Sequence, residues 1–211
     1  MKCVIKADLM RSTTSFFTIS DFGENDMKNA GKKFEQLWKQ SAEKQDLFIL
    51  RLNDTDMSFN QNKELRSRFT LKSPADFILY GYSHLYLMEM KSTHCKSISF
   101  QRELNDSGMI KLHQISSLSN FSLYDGVESR FVINFRHEDD GEVYSEDSYY
   151  WPIQEFNDYF VSTDKKSAKP IDIVQHGGII INQTQRRKLY DYNVKKLLED
   201  IVNRRKINGM D

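Results

Sequence analysis

Apolar positions recur along the chain with two periods, and each period marks an element. Phe34, Leu37 and Trp38 stand at i, i+3 and i+4, the spacing of one helical face. This predicts a helix over residues 30–42 with Asn29 as its N-cap. Phe48-Ile49-Leu50-Arg51-Leu52 reads as a strand, broken by Asn53-Asp54-Thr55-Asp56. Ala75 to Tyr80 and His84 to Lys91 are two strand-like runs separated by Gly81-Tyr82-Ser83, the pattern of a β-hairpin. Met109 to Tyr124 returns to helical spacing through Leu112, Ile115 and Leu118, and Gly126 supplies a stop. Arg130 to Arg136 reads as a strand, Tyr149 to Trp151 as a shorter one, and Ile153 to Phe160 as a short helix. Ile179 to Ile181 is a further short strand. Tyr190, Val194, Leu197, Leu198 and Ile201 predict a closing helix over residues 190–206. Helices and strands in this order imply an α/β domain with a mixed sheet flanked by helices.

Two stretches stand outside this pattern. Residues 1–28 contain Ser12-Thr13-Thr14-Ser15 and predict a loosely ordered N-terminal extension. Residues 57–72 are polar and basic, with few apolar anchors beyond Phe59, Leu65 and Phe69. Such an excursion from a core is solvated or functional. The remaining chain, residues 29–211, fits one domain, because domains usually hold ~100–200 residues.

Composition narrows the function classes. Hydrophobic residues make up 39% and aromatic residues 12%, enough to bury a core. No apolar run approaches the ~20 residues that cross a bilayer, and Met1 to Asp8 lacks the apolar stretch of a secretory signal. A cytoplasmic protein with no membrane partner is the expectation. Cys3 and Cys95 make neither a disulfide framework nor a zinc-binding spacing. The formal net charge is +0, which does not by itself favour a polyanionic partner. The charge is segregated, however. Basic residues crowd residues 28–72 and 165–206, whereas residues 138–158 hold eight acids and no Lys or Arg. A neutral protein with such segregation can carry a basic face.

The hairpin concentrates the candidate chemistry. Glu89 and Lys91 are two apart on a strand and so share a face. If the turn centres on Tyr82-Ser83, Asp76 lies opposite Glu89, with Cβ atoms roughly 4.5–5.5 Å apart. Paired carboxylates repel, and a divalent cation relieves that repulsion. Mg²⁺ is typically held by one or two carboxylates together with waters and phosphate oxygens. Asp76, Glu89 and the Met90 carbonyl are the candidate metal ligands, and Mn²⁺ is expected to substitute for Mg²⁺. Such a cation suits phosphodiester hydrolysis, with Lys91 orienting water or stabilising the developing charge. Glu35 on the first helix is a further candidate carboxylate, and Gln114 a candidate contact to the phosphate or the attacking water. Taken alone, Glu-x-Lys on a strand is an ordinary solvated pair. His113 reads as a partly buried structural residue, and Ser92 and Thr93 as strand-end polar residues within reach of phosphate.

Pro74-Ala75-Asp76 followed by Glu89-Met90-Lys91 resembles the signature of the PD-(D/E)xK nuclease superfamily, and within it the RecU-type Holliday junction resolvases. Asn29-Ala30-Gly31 with Phe34-Glu35, Ser99-Phe100, His113-Gln114, Arg130 to Ile133 and Pro170 to Val174 resemble further stretches of that family. The resemblance implies a restriction-endonuclease-like fold and a homodimer that nicks four-way DNA junctions in pairs with Mg²⁺. It further implies that residues 57–72 form a stalk reaching into the junction, with Lys63, Arg66, Arg68 and Lys72 on phosphates. Recombination proteins are the implied partners. The pattern departs at Ala30, where a basic residue is expected. Three other readings are a related nuclease acting on linear duplex, a non-catalytic recombination-accessory DNA-binding protein, and an α/β interaction module.

Overall fold

A computed structural model describes residues 30–52, 73–139, 142–187 and 189–208. The Asn29 cap, the N-terminal extension and the stalk with Lys63, Arg66, Arg68 and Lys72 lie outside these residues.

Helix α1 (Ala30–Glu43) leads into strand β1 (Phe48–Arg51), and the catalytic-hairpin candidate follows as β2 (Phe77–Gly81) and β3 (His84–Thr93). Next come β4 (Ile98–Ser99), α2 (Leu112–Phe121), β5 (Val127–Asp139), β6 (Glu142–Pro152) and α3 (Ile153–Ser162). The chain continues through β7 (Ser167–Ala168), α4 (Pro170–Gln175), β8 (Ile179–Ile180), β9 (Gln183–Arg186), β10 (Leu189–Tyr192) and α5 (Val194–Asn208). Among the described residues the main sheet has six strands in the order β1-β2-β3-β5-β6-β8. β3 and β5 run parallel, and the other neighbours pair antiparallel. A parallel pair needs a long crossover, and α2 lies within it. The sheet is thus mixed and flanked by helices, as the alternation of periods implied. No helix among the described residues is long and apolar enough to cross a membrane.

Both faces of the sheet are covered, and the period of two along β3 sorts its side chains between them. Tyr86, Met88 and Met90 join the cluster that contains Phe34, Leu37 and Trp38 of α1 and Leu197, Leu198 and Ile201 of α5. Leu87 joins the opposite cluster, with Ile115 and Leu118 of α2 and Phe156 of α3. Glu89 and Lys91 share the parity of Leu87 and so turn toward α2. β5 and β6 run well beyond the short segments expected for them.

Three expectations are corrected. Regular pairing of β2 starts at Phe77, so Ala75 and Asp76 lie in a bend ahead of the strand. The helix expected over Met109 to Tyr124 is confined to Leu112–Phe121. Ile110 is instead held in extended backbone, its N–H donating to the Ser99 carbonyl at 3.0 Å. Tyr190 belongs to a strand rather than to the closing helix. Leu189–Tyr192 pairs with Gln183–Arg186, and Arg187 turns between them with φ 57°. Tyr190 and Tyr192 both bury their side chains, which is strand alternation. Gln183 to Arg186 is almost wholly polar, so its sequence carries no hydrophobic period to find.

The β2–β3 turn sets the register on which the site depends. Tyr82 and Ser83 have φ values of 50° and 63°, both left-handed, as a two-residue type I′ hairpin requires. Gly81 pairs with His84 and Phe77 with Met88. Left-handed backbone costs a non-glycine residue about 1 kcal/mol or more. Replacing Tyr82-Ser83 by Asn-Gly, the preferred type I′ pair, is therefore expected to stabilise the protein by about 1 kcal/mol without shifting the register. Urea denaturation of the double variant checks this, and a loss of stability would show that tertiary contacts of the turn outweigh its backbone preference.

Candidate active site

The β2–β3 ladder ends at Phe77–Met88, and continuing its register sets Asp76 across from Glu89. Here the backbone changes its partners. The Asp76 N–H donates to the Met88 carbonyl at 3.1 Å, and its own carbonyl accepts from the Leu52 N–H at 2.8 Å. The Asp76 side chain then takes over where the ladder has stopped, Oδ2 accepting the Met90 N–H at 2.7 Å. In a strand, a residue's N–H and carbonyl point to the same edge. The Met90 carbonyl therefore faces the side of the sheet from which Asp76 approaches.

Glu89 is only 6% exposed, and a buried carboxylate needs donors. Lys91 Nζ lies 2.8 Å from Glu89 Oε1, and Gln114 Nε2 donates to the same oxygen. The direction of the Gln114 amide follows from helix capping. Gln114 is the third residue of α2, and its Oε1 accepts the Lys111 N–H at 2.9 Å. Using the amide oxygen there leaves the NH₂ end for Glu89. The start of α2 is held in turn by Gln101, whose Oε1 accepts the Leu112 N–H at 3.1 Å. Ser117, one turn further along, donates to the Pro74 carbonyl at 3.1 Å and fastens the helix to the approach to Asp76.

Asp76, Glu89, Gln114 and Ser117 line an open cleft of about 620 Å³, whose walls also include Lys32, Arg51 and His113. Glu35 lies on α1 and is ion-paired with Arg51 at the end of β1. It is close enough for its charge to act on Asp76. Burial is the largest influence on Asp76 and pushes its carboxyl upward, and the Glu89 charge adds to this. The Met90 N–H and Lys91 pull the other way without cancelling it, so the pKa is pushed up to about 7. At neutral pH the Asp76 carboxyl is therefore poised between its protonated and ionised forms.

Among the described residues no group of three or more His, Cys, Asp or Glu side chains converges as a metal cage. The donors that are present are hard oxygens, the carboxylates of Asp76 and Glu89 with the Met90 carbonyl alongside. Mg²⁺ and Mn²⁺ fit such a set, because one or two carboxylates are the usual protein share of their coordination. A divalent cation held there would relieve the Glu89 repulsion that adds to burial in raising the Asp76 carboxyl.

The structure gathers Asp76, Glu89, Lys91, Met90 and Gln114 at one spot, and it holds Glu35 nearby through Arg51. Sequence reading overlooked Lys32, Arg51 and Ser117. Lys32 shares a helix face with Glu35 at i, i+3, which was a usable signal. Arg51 pairs with Phe77, one residue from Asp76, and becomes recognisable only once that register is known. His113 is exposed on the cleft wall rather than partly buried, because position 113 of α2 points away from the Ile115–Leu118 face. Ser92 spends its hydroxyl on Asn134 at 2.9 Å, and Thr93 is buried and accepts the Cys95 N–H at 3.0 Å, so both serve the strand end rather than a ligand.

No protein-family model matches the chain. The chain is 28% identical over 187 residues to the uncharacterized protein YotM, derived from the SPbeta prophage of Bacillus subtilis strain 168, covering 83% of this chain and 88% of that protein. It also resembles a solved structure of Hjc, a Holliday junction resolvase from Archaeoglobus fulgidus, with a TM-score of 0.42 and 13% identity over 69% of this chain and 93% of that one.

The raised Asp76 carboxyl makes a stability prediction with a definite sign. Its folded value of about 7 stands above the ordinary 3.8, so folding favours the protonated form. The stability this group contributes is complete below about pH 4 and is lost as pH rises through about 7. Asp76→Asn, which keeps an oxygen for Met90, is expected to match the unaltered protein near pH 4 in EDTA. At pH 8 it should be more stable by on the order of 2–4 kcal/mol. Urea melts at the two pH values check this, and equal stability at pH 8 would contradict the assigned burial and repulsion.

Proposed function

We propose that this protein is a divalent-metal-dependent endodeoxyribonuclease built on Asp76, Glu89 and Lys91. The observation that carries the reading is the buried facing of Asp76 and Glu89 at the cleft floor, with Lys91 on Glu89. Two neighbouring carboxylates, one with its carboxyl pushed up to about 7, are a costly arrangement, and a divalent cation would relieve that cost. A purely structural interaction module has no use for that cost.

A bound Mg²⁺, or Mn²⁺ in its place, would supply Lewis-acid polarisation of a phosphoryl oxygen and make water acidic enough to attack at neutral pH. Asp76 and Glu89 would hold the cation, with the Met90 carbonyl as an additional oxygen donor. Gln114 keeps Glu89 in place through its helix-capping amide. Lys91 has its ammonium beside Glu89, where it can move onto a phosphate oxygen and stabilise the charge that builds up in the transition state. The open cleft admits a phosphate backbone, and the basic side chains of Lys32 and Arg51 on its wall suit a polyanion.

The finer reading is a homodimer that resolves four-way junctions by paired nicks, with recombination proteins as partners. Its support is the motif resemblance that runs from Asn29 to the final helix. In that reading Lys63, Arg66, Arg68 and Lys72 are DNA contacts on a stalk. Cleavage of a labelled mobile four-way junction beside linear duplex of the same sequence, with Mg²⁺, Mn²⁺ or EDTA, tests both levels. Paired symmetric nicks in the junction alone support resolution, and cutting of both substrates reduces the reading to a general nuclease. Binding without metal-dependent cutting of either would replace it with the accessory DNA-binding reading.

Asp76→Asn and Glu89→Gln are expected to slow cleavage by about three orders of magnitude, the equivalent of losing several kcal/mol of transition-state stabilisation. DNA affinity should remain close to that of the unaltered protein, because phosphate contacts elsewhere supply it. Lys91→Ala should cost about 10²-fold in rate. Gel-shift and single-turnover assays on the same preparations separate the two effects.

A further inference from the structure

Beyond Lys91, Arg51 is a second cation that engages a carboxylate beside the cleft. It comes from the edge strand β1 and is ion-paired with Glu35 of α1. The two partners differ in freedom. The Arg51 side chain is 45% exposed, whereas that of Glu35 is 17% exposed. Arg51 therefore reaches from the cleft wall and solvent to the less exposed carboxylate on α1. An ion pair with such an exposed partner contributes little, ~0–1 kcal/mol, so it is easily exchanged. Glu35 also acts electrostatically on Asp76, which places its charge within range of a cation bound there. A dication between Asp76 and Glu89 would attract Glu35 and repel the Arg51 guanidinium. Phosphate is the natural destination for that guanidinium, since its planar fork matches phosphate oxygens in a bidentate way.

We infer that Arg51 is an exchangeable positioning residue. It covers Glu35 when the metal is absent, and transfers to a phosphate of the nucleic-acid substrate when the metal recruits Glu35. The inference rests on the metal-site reading above and deepens it. It makes metal and DNA binding mutually reinforcing through one side chain, because a coupling between two ligands acts equally in both directions. It also gives a role to the Glu35 carboxylate, which acts on Asp76 without belonging to the cleft lining. Glu35 is kept neutralised until the cation arrives.

The test measures metal binding apart from activity. Calorimetric titration of Mn²⁺ into the full chain without DNA compares the unaltered protein with Arg51→Gln, Arg51→Lys and Glu35→Gln. Arg51→Gln should bind Mn²⁺ about two- to fivefold more tightly, because Glu35 is released from its competitor. Arg51→Lys, which keeps the charge, should restore the weaker binding, and adding Glu35→Gln to Arg51→Gln should abolish the gain. With Ca²⁺ present to limit cleavage, Arg51→Gln should bind a fluorescent duplex less tightly, with a log–log salt slope shallower by about one. Thermal melts confirm that each variant folds. Unchanged or weaker Mn²⁺ binding by Arg51→Gln would overturn the inference while leaving the metal site standing. Failure of the unaltered protein to bind Mn²⁺ at all would overturn the metal site and this inference together.

Discussion

Everything at the candidate site depends on the register of the β2–β3 hairpin. A two-residue turn at Tyr82-Ser83 makes Phe77 the partner of Met88, and the next step brings Asp76 across from Glu89. Because side chains alternate with a period of two, a one-residue slip would turn Glu89 and Lys91 into the α1–α5 layer and expel Met88 and Met90 from it. Burial on both faces forbids that slip. Tyr86, Met88 and Met90 occupy one core and Leu87 the other, so the apolar clusters lock the same register that the chemistry needs. The turn carries left-handed backbone at two non-glycine residues, and the two cores outweigh that local cost.

The first turn of α2 links the fold to the chemistry. A helix start leaves backbone N–H groups without partners, and Gln114 answers this by accepting from Lys111. The same act aims its NH₂ group at Glu89. One side chain therefore settles a helix end and a buried carboxylate together. Gln101 and Ser117 add backbone contacts on either side, so α2 is set against the hairpin by polar contacts at the site and by Ile115 and Leu118 beneath it. Precision at Glu89 comes from these supports more than from the strand itself.

Electrostatics explain how a chain with a formal net charge of +0 can place basic side chains beside a group of carboxylates in one cleft. Each carboxylate near the cleft floor has a different compensator. Glu89 has Lys91 and Gln114, Glu35 has Arg51, and Asp76 has the backbone N–H of Met90. Burial and the Glu89 charge together outweigh the Met90 N–H and Lys91, so the Asp76 carboxyl is pushed up. The cations that serve the other two reach the cleft from different elements. Lys91 comes from the central β3, where it is largely buried, and Arg51 from the solvent-exposed edge strand β1. The buried pair is positioned and the exposed pair is exchangeable. That difference gives the two cations different parts in the proposed chemistry.

The α/β class, most elements and the grouping of Asp76, Glu89 and Lys91 as a candidate site were legible in the chain alone. Period-two alternation around a recognisable turn placed Glu89 and Lys91 on one face, and the length of that turn brought Asp76 into line. These are local relations, governed by a few adjacent backbone angles, and local relations are written in the chain. Tertiary structure decided the rest. The polar strand Gln183 to Arg186 had no hydrophobic period to reveal it, and Tyr190 became a strand residue by pairing across Arg187. Helix α2 starts at Leu112 because Ile110 hydrogen-bonds to Ser99, a contact no helical period encodes. Arg51 met Glu35, and Gln114 met Glu89, only when separate elements packed together. Such meetings depend on how layers stack rather than on spacing along the chain, which is why the carboxylates, Lys91 and Gln114 could be named in advance while the Arg51–Glu35 pair could not.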